Sequence, residues 1–123
     1  MAEQRQARPD RPAAGPFVHV RLQEEIERLK HEPAWRSGDR NAITLTKEPA
    51  LRVVLMALHK GARVHEHRAD GSLTLHVVSG AVRFRAAGRD VELGPGEVVV
   101  LDPAVAHELE ALAESACLLT LTA

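Results

Sequence analysis

Apolar residues follow two different periods along this chain, and the helical period comes first. Leu22, Ile26 and Leu29 recur at helical spacing between charged residues, which predicts an amphipathic helix that ends near Pro33. We expect the apolar stripe of this helix to cover the outside of a sheet, with Trp35 as an anchor.

Beyond Gly38 the helical period gives way to short runs rich in apolar and β-branched residues. Turn residues such as Asp70-Gly71 and Gly94-Pro95-Gly96 separate these runs. The predicted strands are 43–46, 51–58, 73–78, 81–85, 91–93, 97–101, 107–112 and 117–122. Eight strands with no second helix between them predict an all-β sandwich or barrel and argue against a parallel sheet with crossover helices.

The pattern predicts three parts within a single domain. Residues 1–16 combine three arginines with three prolines, a composition that predicts a flexible tail. Residues 17–40 are predicted to form the N-terminal helix and a linker, and residues 41–123 the barrel. A chain of 123 residues is the size of one ordinary domain.

The charge balance and the cysteine content indicate which partners and which cellular compartment to expect. The chain has 16 Lys plus Arg against 17 Asp plus Glu and no dense basic run, so we expect no nucleic-acid partner. No secretory leader or run of 18 apolar residues occurs, so we expect no membrane partner. Cys117 is the single cysteine; its apolar surroundings predict a buried, inert thiol, and the lack of a possible intrachain disulfide predicts a cytoplasmic location.

The seven histidines differ in their surroundings, and two of them form a pair. His65 and His67 are two residues apart, so in a regular strand both side chains point to the same face, which suits two ligands of one transition metal. Two solvent-facing histidines on an edge strand would give the same pattern. We expect His19, His31 and His59 to be solvated surface residues.

The spacing of glycines and histidines over residues 50–112 resembles the two sequence motifs of the cupin superfamily. The first motif is represented by His65 and His67 followed by a hairpin at Gly80, and the second by the run VELGPGEVVVLDPAVAH that ends at His107. The resemblance implies a cupin jelly-roll barrel, also called a double-stranded β-helix, and implies that His65, His67 and His107 converge on one pocket and bind a metal.

Two features of the chain depart from the cupin pattern. Leu73 stands where the family usually has an acidic ligand, so this carboxylate is missing, and in the second motif Asp102 and Ala104 stand where the family has proline and glycine. His76 is a candidate fourth ligand, but its odd offset from Leu73 puts it on the opposite face unless the strand contains a β-bulge. The alternative is that His76 packs between the sheet and the N-terminal helix.

The resemblance implies a range of functions. A divalent transition metal, Zn, Fe, Ni, Mn or Cu, and a small-molecule substrate would make the protein a dioxygenase, isomerase or lyase. The alternative is a non-catalytic cupin that binds or senses a small ligand without metal. A homodimer is also implied, since cupins commonly associate through sheet edges or faces.

One pair of side chains in the run AVRFR faces the barrel interior, either Val82 with Phe84 or Arg83 with Arg85. The apolar pair is the better candidate for the interior. Arginines facing inward would instead bind an anionic substrate.

Overall fold

The computed structural model describes residues 15–123 and consists mainly of antiparallel strands. Two helices come first, α1 (Leu22–His31) and α2 (Pro33–Ser37). The strands are β1 (Arg40–Lys47), β2 (Leu51–Leu58), β3 (Arg63–His67), β4 (Leu73–Ser79), β5 (Val82–Ala86), β6 (Arg89–Leu93), β7 (Val98–Leu101), β8 (His107–Ala111) and β9 (Ser115–Thr122). The predicted all-β class with an N-terminal amphipathic helix is confirmed.

The strands form two sheets that pack face to face. The five-stranded sheet has the order β1-β2-β9-β4-β7 and the four-stranded sheet the order β3-β8-β5-β6. Inward-facing side chains of both sheets, including Leu75, Val77, Val82, Phe84 and Leu109, form the central core. Burial of this apolar surface is the main force that holds the two sheets together.

A second core lies on the outer face of the five-stranded sheet, under α1. Ile26 and Leu29 of the helix pack with Leu55 and Ala116 of the sheet, and Trp35 of α2 belongs to the same cluster. The predicted role of the helical stripe is confirmed, because the spacing that makes the helix amphipathic also gives it one apolar face to bury.

The first helix ends near Pro33 as predicted, and Pro33 also starts α2, since proline fits the first position of a helix. Two local predictions need correction. The strand β3 is missing from the predicted strands, because its sequence is mostly polar. His59 is not a solvated surface residue, because its ring stacks on Trp35 with centroids 3.5 Å apart and its Nε2 lies 2.8 Å from the Trp35 carbonyl oxygen.

The predicted division of the chain into a tail, a helix with linker and a barrel remains a prediction. Most of the tail assigned to residues 1–16 lies outside the described residues. Within residues 15–123, neither helix has the length and apolar content needed to cross a membrane.

Cys117 lies on the inner face of β9, is fully buried, and should be inert in the native protein. Burial raises the pKa of the thiol to about 12, so the reactive thiolate is scarce at neutral and mildly alkaline pH. We expect a disulfide reagent such as dithionitrobenzoate to label native Cys117 at least about a hundredfold more slowly than free cysteine. Rapid labelling in concentrated guanidinium chloride is the control, and equally rapid labelling of the native protein would contradict the expectation.

Candidate metal and ligand site

A single row of side chains crosses the inner face of the four-stranded sheet at one end. His67 of β3 pairs with His107 of β8, His107 pairs with Ala86 of β5, and Ala86 pairs with Arg89 of β6. We call these four residues the site row. Directly opposed residues in a sheet point to the same face, so strand pairing brings residues together that lie up to 40 positions apart in the chain.

A β-bulge in β3 decides which histidine joins the site row. Val64 pairs with Leu109 and His67 with His107, so β3 advances three residues while β8 advances two. The extra residue breaks the alternation of the strand and puts His67 on the inner face together with Val64. His65 lies within the bulge, and although both it and His67 are exposed, only the His67 ring contacts the ring of His107.

The two rings of the site row face each other through their Nε2 atoms, which are 3.1 Å apart. His107 Nδ1 lies 3.0 Å from the Val105 carbonyl oxygen, and His67 Nδ1 lies 3.2 Å from the His65 carbonyl oxygen. A carbonyl oxygen only accepts, so each Nδ1 carries the hydrogen and donates it. This leaves the two Nε2 atoms facing each other at hydrogen-bonding distance, so the geometry calls for a cation between them, either a proton on one ring or a metal ion.

The arrangement of the two rings fits two neighbouring ligands of a transition metal. Two imidazole nitrogens, each about 2 Å from one ion, lie roughly 2.8–3.4 Å apart for angles between octahedral and tetrahedral. The observed separation falls in this range. Donation from the second ring nitrogen to a backbone carbonyl is also the usual support of a metal-binding histidine.

Few side chains among the described residues are placed to bind a metal at this site. Within residues 15–123, no group of three or more His, Cys, Asp or Glu side chains is placed to hold a metal ion. Leu73 is 2% exposed and belongs to the central core. Two histidines would therefore leave the other coordination positions to solvent or to a bound ligand.

His76 lies on the other side of the five-stranded sheet. Its neighbours in β4, Leu75 and Val77, are buried in the central core, and His76 points to the outer face. It pairs with Val98 and Leu118 in a stretch of regular register, without the bulge that would turn its ring inward.

The row next to the site row is apolar. It consists of Val64, Leu109, Phe84 and Val91, which are paired across the same four strands. The ring of Phe84 stacks on the ring of His107 with centroids 5.8 Å apart and an interplanar angle of 18°. His107 is itself only 5% exposed. The site row therefore has a water-poor floor on the side of the barrel interior.

The arginines of β5 point away from this pocket. Val82 and Phe84 are buried, as expected for the apolar pair. On the outer face, Arg83 pairs with Glu92 and Arg85 with both Asp90 and Glu108. These ion pairs are about half exposed, so we expect them to contribute little to stability.

Sequence reasoning missed Arg89, the fourth member of the site row. The turn between β5 and β6 determines the face on which Arg89 lies. Ala87 and Gly88 have φ angles of 53° and 74°, which is typical of a two-residue hairpin turn. Such a turn pairs Ala86 with Arg89 and puts Arg89 on the same face as Phe84. Gly88 alone did not indicate the length of the turn, so the face of Arg89 could not be assigned.

Comparison with known proteins gives the family. The family model for the cupin domain matches residues 54–122, which include both histidines of the site row and Arg89. The chain belongs to the cupin family. No curated protein matches it in sequence.

Solved structures of other cupins share the fold at low sequence identity. A cupin superfamily protein from Desulfitobacterium hafniense is 14% identical over 69% of this chain and 78% of that one, with a TM-score of 0.67. A conserved protein of unknown function from Streptococcus pyogenes is 19% identical, over 90% of this chain and 94% of that one, with a TM-score of 0.71.

One similar structure is that of an enzyme. Salicylate 1,2-dioxygenase from Pseudoaminobacter salicylatoxidans, in adducts with gentisate, is 21% identical over 81% of this chain but only 30% of that one, with a TM-score of 0.65. Enzymes and proteins of unknown function thus occur among the similar folds. The cupin fold is shown for this chain, and its function has to be argued from its own residues.

Proposed function

We propose that this cupin holds a divalent transition metal between His67 and His107 and binds a small-molecule substrate beside it. The observation that carries the proposal is the pair of Nε2 atoms 3.1 Å apart, with the opposite nitrogen of each ring hydrogen-bonded to a backbone carbonyl. Imidazole ligands suit Zn, Fe, Ni and Cu, and Mn belongs to the same proposal at lower affinity.

Each residue of the pocket has a role in this proposal. His67 and His107 would hold the metal, which when bound supplies a Lewis acid that polarises an oxygen of the substrate. Phe84 keeps the His107 ring in place and, with Leu109, excludes water from the inner side of the site. The reaction classes that fit are those of a dioxygenase, an isomerase or a lyase.

A second candidate is a cupin that binds or senses a small ligand without metal. Two observations favour it: Leu73 is packed in the core where cupins usually have an acidic ligand, and no third metal-binding side chain joins the two histidines within the described residues. A proton shared by the two rings would then replace the metal as the cation between them.

Metal analysis of matched histidine variants tests the proposal. We expect about one metal per chain in protein purified without chelators, and loss of at least about 90% of it in His67→Ala and His107→Ala, since each removes half of the protein ligands. His65→Ala is the matched control and should keep the metal. Loss in all three variants would instead support the three-histidine site predicted from the sequence.

The metal proposal fails if the wild-type protein contains no metal and its melting temperature is unchanged by Zn²⁺, Ni²⁺, Mn²⁺ and Fe²⁺. Binding of a metal to the folded state alone must raise the melting temperature, so this measurement does not depend on knowing the reaction. The metal-free candidate would then stand as the proposed function.

We also propose that the protein forms a homodimer through β7. This strand is an edge of the five-stranded sheet, and its outward-facing Val98 and Val100 are 51% and 70% exposed. Pairing or covering such an edge removes exposed apolar surface and unpaired backbone groups. The cytoplasmic location and the absence of nucleic-acid and membrane partners stay predictions.

A charge on β7 should disrupt the proposed dimer. We expect Val100→Lys to shift the mass measured by light scattering from that of two chains to that of one, because two added lysines would face each other across the interface. Ser37→Lys, which adds the same charge at the end of α2, should leave the dimer intact. A wild-type protein with the mass of one chain would refute the proposal.

A further inference from the structure

Arg89 differs from the other arginines of the four-stranded sheet. Arg63, Arg83 and Arg85 point to the outer face and form ion pairs with acidic side chains of the neighbouring strands. Arg89 belongs to the inner face through its pairing with Ala86, and within residues 15–123 no ion pair involves its guanidinium. Among the described residues it is an exposed cation at the rim of a cleft, with no ion-pair partner.

Five acidic residues line the two clefts that Arg89 also lines: Glu66, Asp90, Glu92, Glu97 and Glu108. Asp90 and Glu108 pair with Arg85, and Glu92 pairs with Arg83 on the outer face. Glu97 accepts a hydrogen bond from the Gly94 backbone N–H. Among the described residues none of these carboxylates forms an ion pair with Arg89, so its guanidinium is available to another molecule.

Open space connects Arg89 with His107. A cleft of about 550 Å³ lies between β6 and β7 and is lined mainly by apolar residues of both sheets, with Arg89 among them. A neighbouring cleft of about 540 Å³ is lined by both Arg89 and His107. Ala86 stands between these two residues in the site row, and its methyl group is too small to separate them.

The dimensions of the site row suit a small ligand. Neighbouring strands are about 4.8 Å apart, so the backbones at His107 and Arg89 are about 10 Å apart across β5. Both residues belong to the same face by register, and both line the cleft of about 540 Å³. A molecule of a few heavy atoms can therefore contact the guanidinium at one end and the histidine pair at the other.

We propose that Arg89 binds the carboxylate of a small organic acid whose apolar body occupies the cleft beside Phe84 and Val91. A guanidinium presents paired N–H donors that match the two oxygens of a carboxylate, and the apolar side chains of the cleft suit the rest of the ligand. The inference rests on the proposed function in one respect: the ligand is the substrate of the site at His67 and His107. It names the substrate class of that site.

Binding of matched acids and amides tests this assignment. Acetate, isovalerate, benzoate and phenylacetate, and the four corresponding amides, are titrated by calorimetry into wild-type protein, with and without Zn²⁺. We expect at least one of the larger acids to bind at least tenfold more tightly than its amide, because a hydrogen-bonded charge pair is worth about one to two powers of ten in affinity.

Two arginine variants locate the effect. Arg89→Gln should remove the preference for the acid, whereas Arg63→Gln changes the net charge equally on the outer face, outside both clefts, and should preserve it. The assignment is overturned if no acid binds to the wild-type protein, if Arg89→Gln retains the preference, or if Arg63→Gln loses it to the same extent.

Metal content separates this inference from the proposed function. Arg89→Gln should keep the metal that His67→Ala loses. Acid binding through Arg89 in a protein that takes up no metal would support the anion site and refute the metal proposal. Metal binding without any preference for acids would support the metal proposal and refute the anion site.

Discussion

Replacing Gly80 by alanine is expected to lower the melting temperature by about 10–20 °C. Gly80 connects β4 to β5 with a φ of +88°, a conformation that costs an alanine about 1–2 kcal/mol. An added Cβ would also lie 2.6 Å from Ser115 Cα and closer still to Ser115 Oγ and the Glu114 carbonyl oxygen. Relief of this overlap costs about a further 1–3 kcal/mol, and each kcal/mol is worth about 4 °C in a domain of this size.

The clash at Gly80 is expensive because Ser115 is held in place. Its side chain is buried, and its Oγ accepts a hydrogen bond from the Ala81 N–H at 3.0 Å. Gly96→Ala is the matched control: Gly96 has a φ of +86°, but a Cβ added there would meet no atom within 4 Å, so this variant reports the backbone cost alone. Equal losses of melting temperature in the two variants would show that the contact with Ser115 is unimportant.

Replacing Phe84 by alanine is expected to lower the free energy of unfolding by about 3–5 kcal/mol. Phe84 is 3% exposed and lies in the central core, so its removal loses apolar burial and leaves a cavity. Urea unfolding should show a lower midpoint with an unchanged slope, which is the sign of lost stability without a change in the surface exposed on unfolding.

Phe84→Leu separates packing from the contact with His107. Leucine fills much of the same volume, so we expect a loss of only about 1–1.5 kcal/mol. The leucine has no ring to stack on His107, which makes metal affinity in this variant a measure of that contact. A loss of stability below about 1 kcal/mol in Phe84→Ala would contradict the assignment of Phe84 to the core.

The general architecture could be predicted from local patterns. The helical spacing of Leu22, Ile26 and Leu29 predicted an amphipathic helix, and α1 covers a sheet as expected. Alternating side chains in the run AVRFR favoured Val82 and Phe84 as the inward pair, and both are buried. These predictions succeed because helix and strand periods are properties of a single segment, and the apolar face of a segment must be buried somewhere.

The histidines show where local patterns stop being sufficient. The H-x-H spacing predicts that His65 and His67 share a face, which holds only in a regular strand. The bulge in β3 arises from pairing with β8, about 40 residues later, and it puts His67 beside His107 while His65 stays within the bulge. A register shift is a property of two strands together and cannot be read from one of them.

The sequence by itself determined the all-β class, the amphipathic helix, the inward apolar side chains and the resemblance to cupins, because each of these depends on residue types at short, regular spacings. The tertiary structure alone decided the composition of the site row. It joined His67, His107 and Arg89 from three strands, kept His76 on the opposite face, and left Arg89 without an ion-pair partner among the described residues. The physical reason is that a pocket between sheets is built by cross-strand register, which is set by pairings between distant parts of the chain.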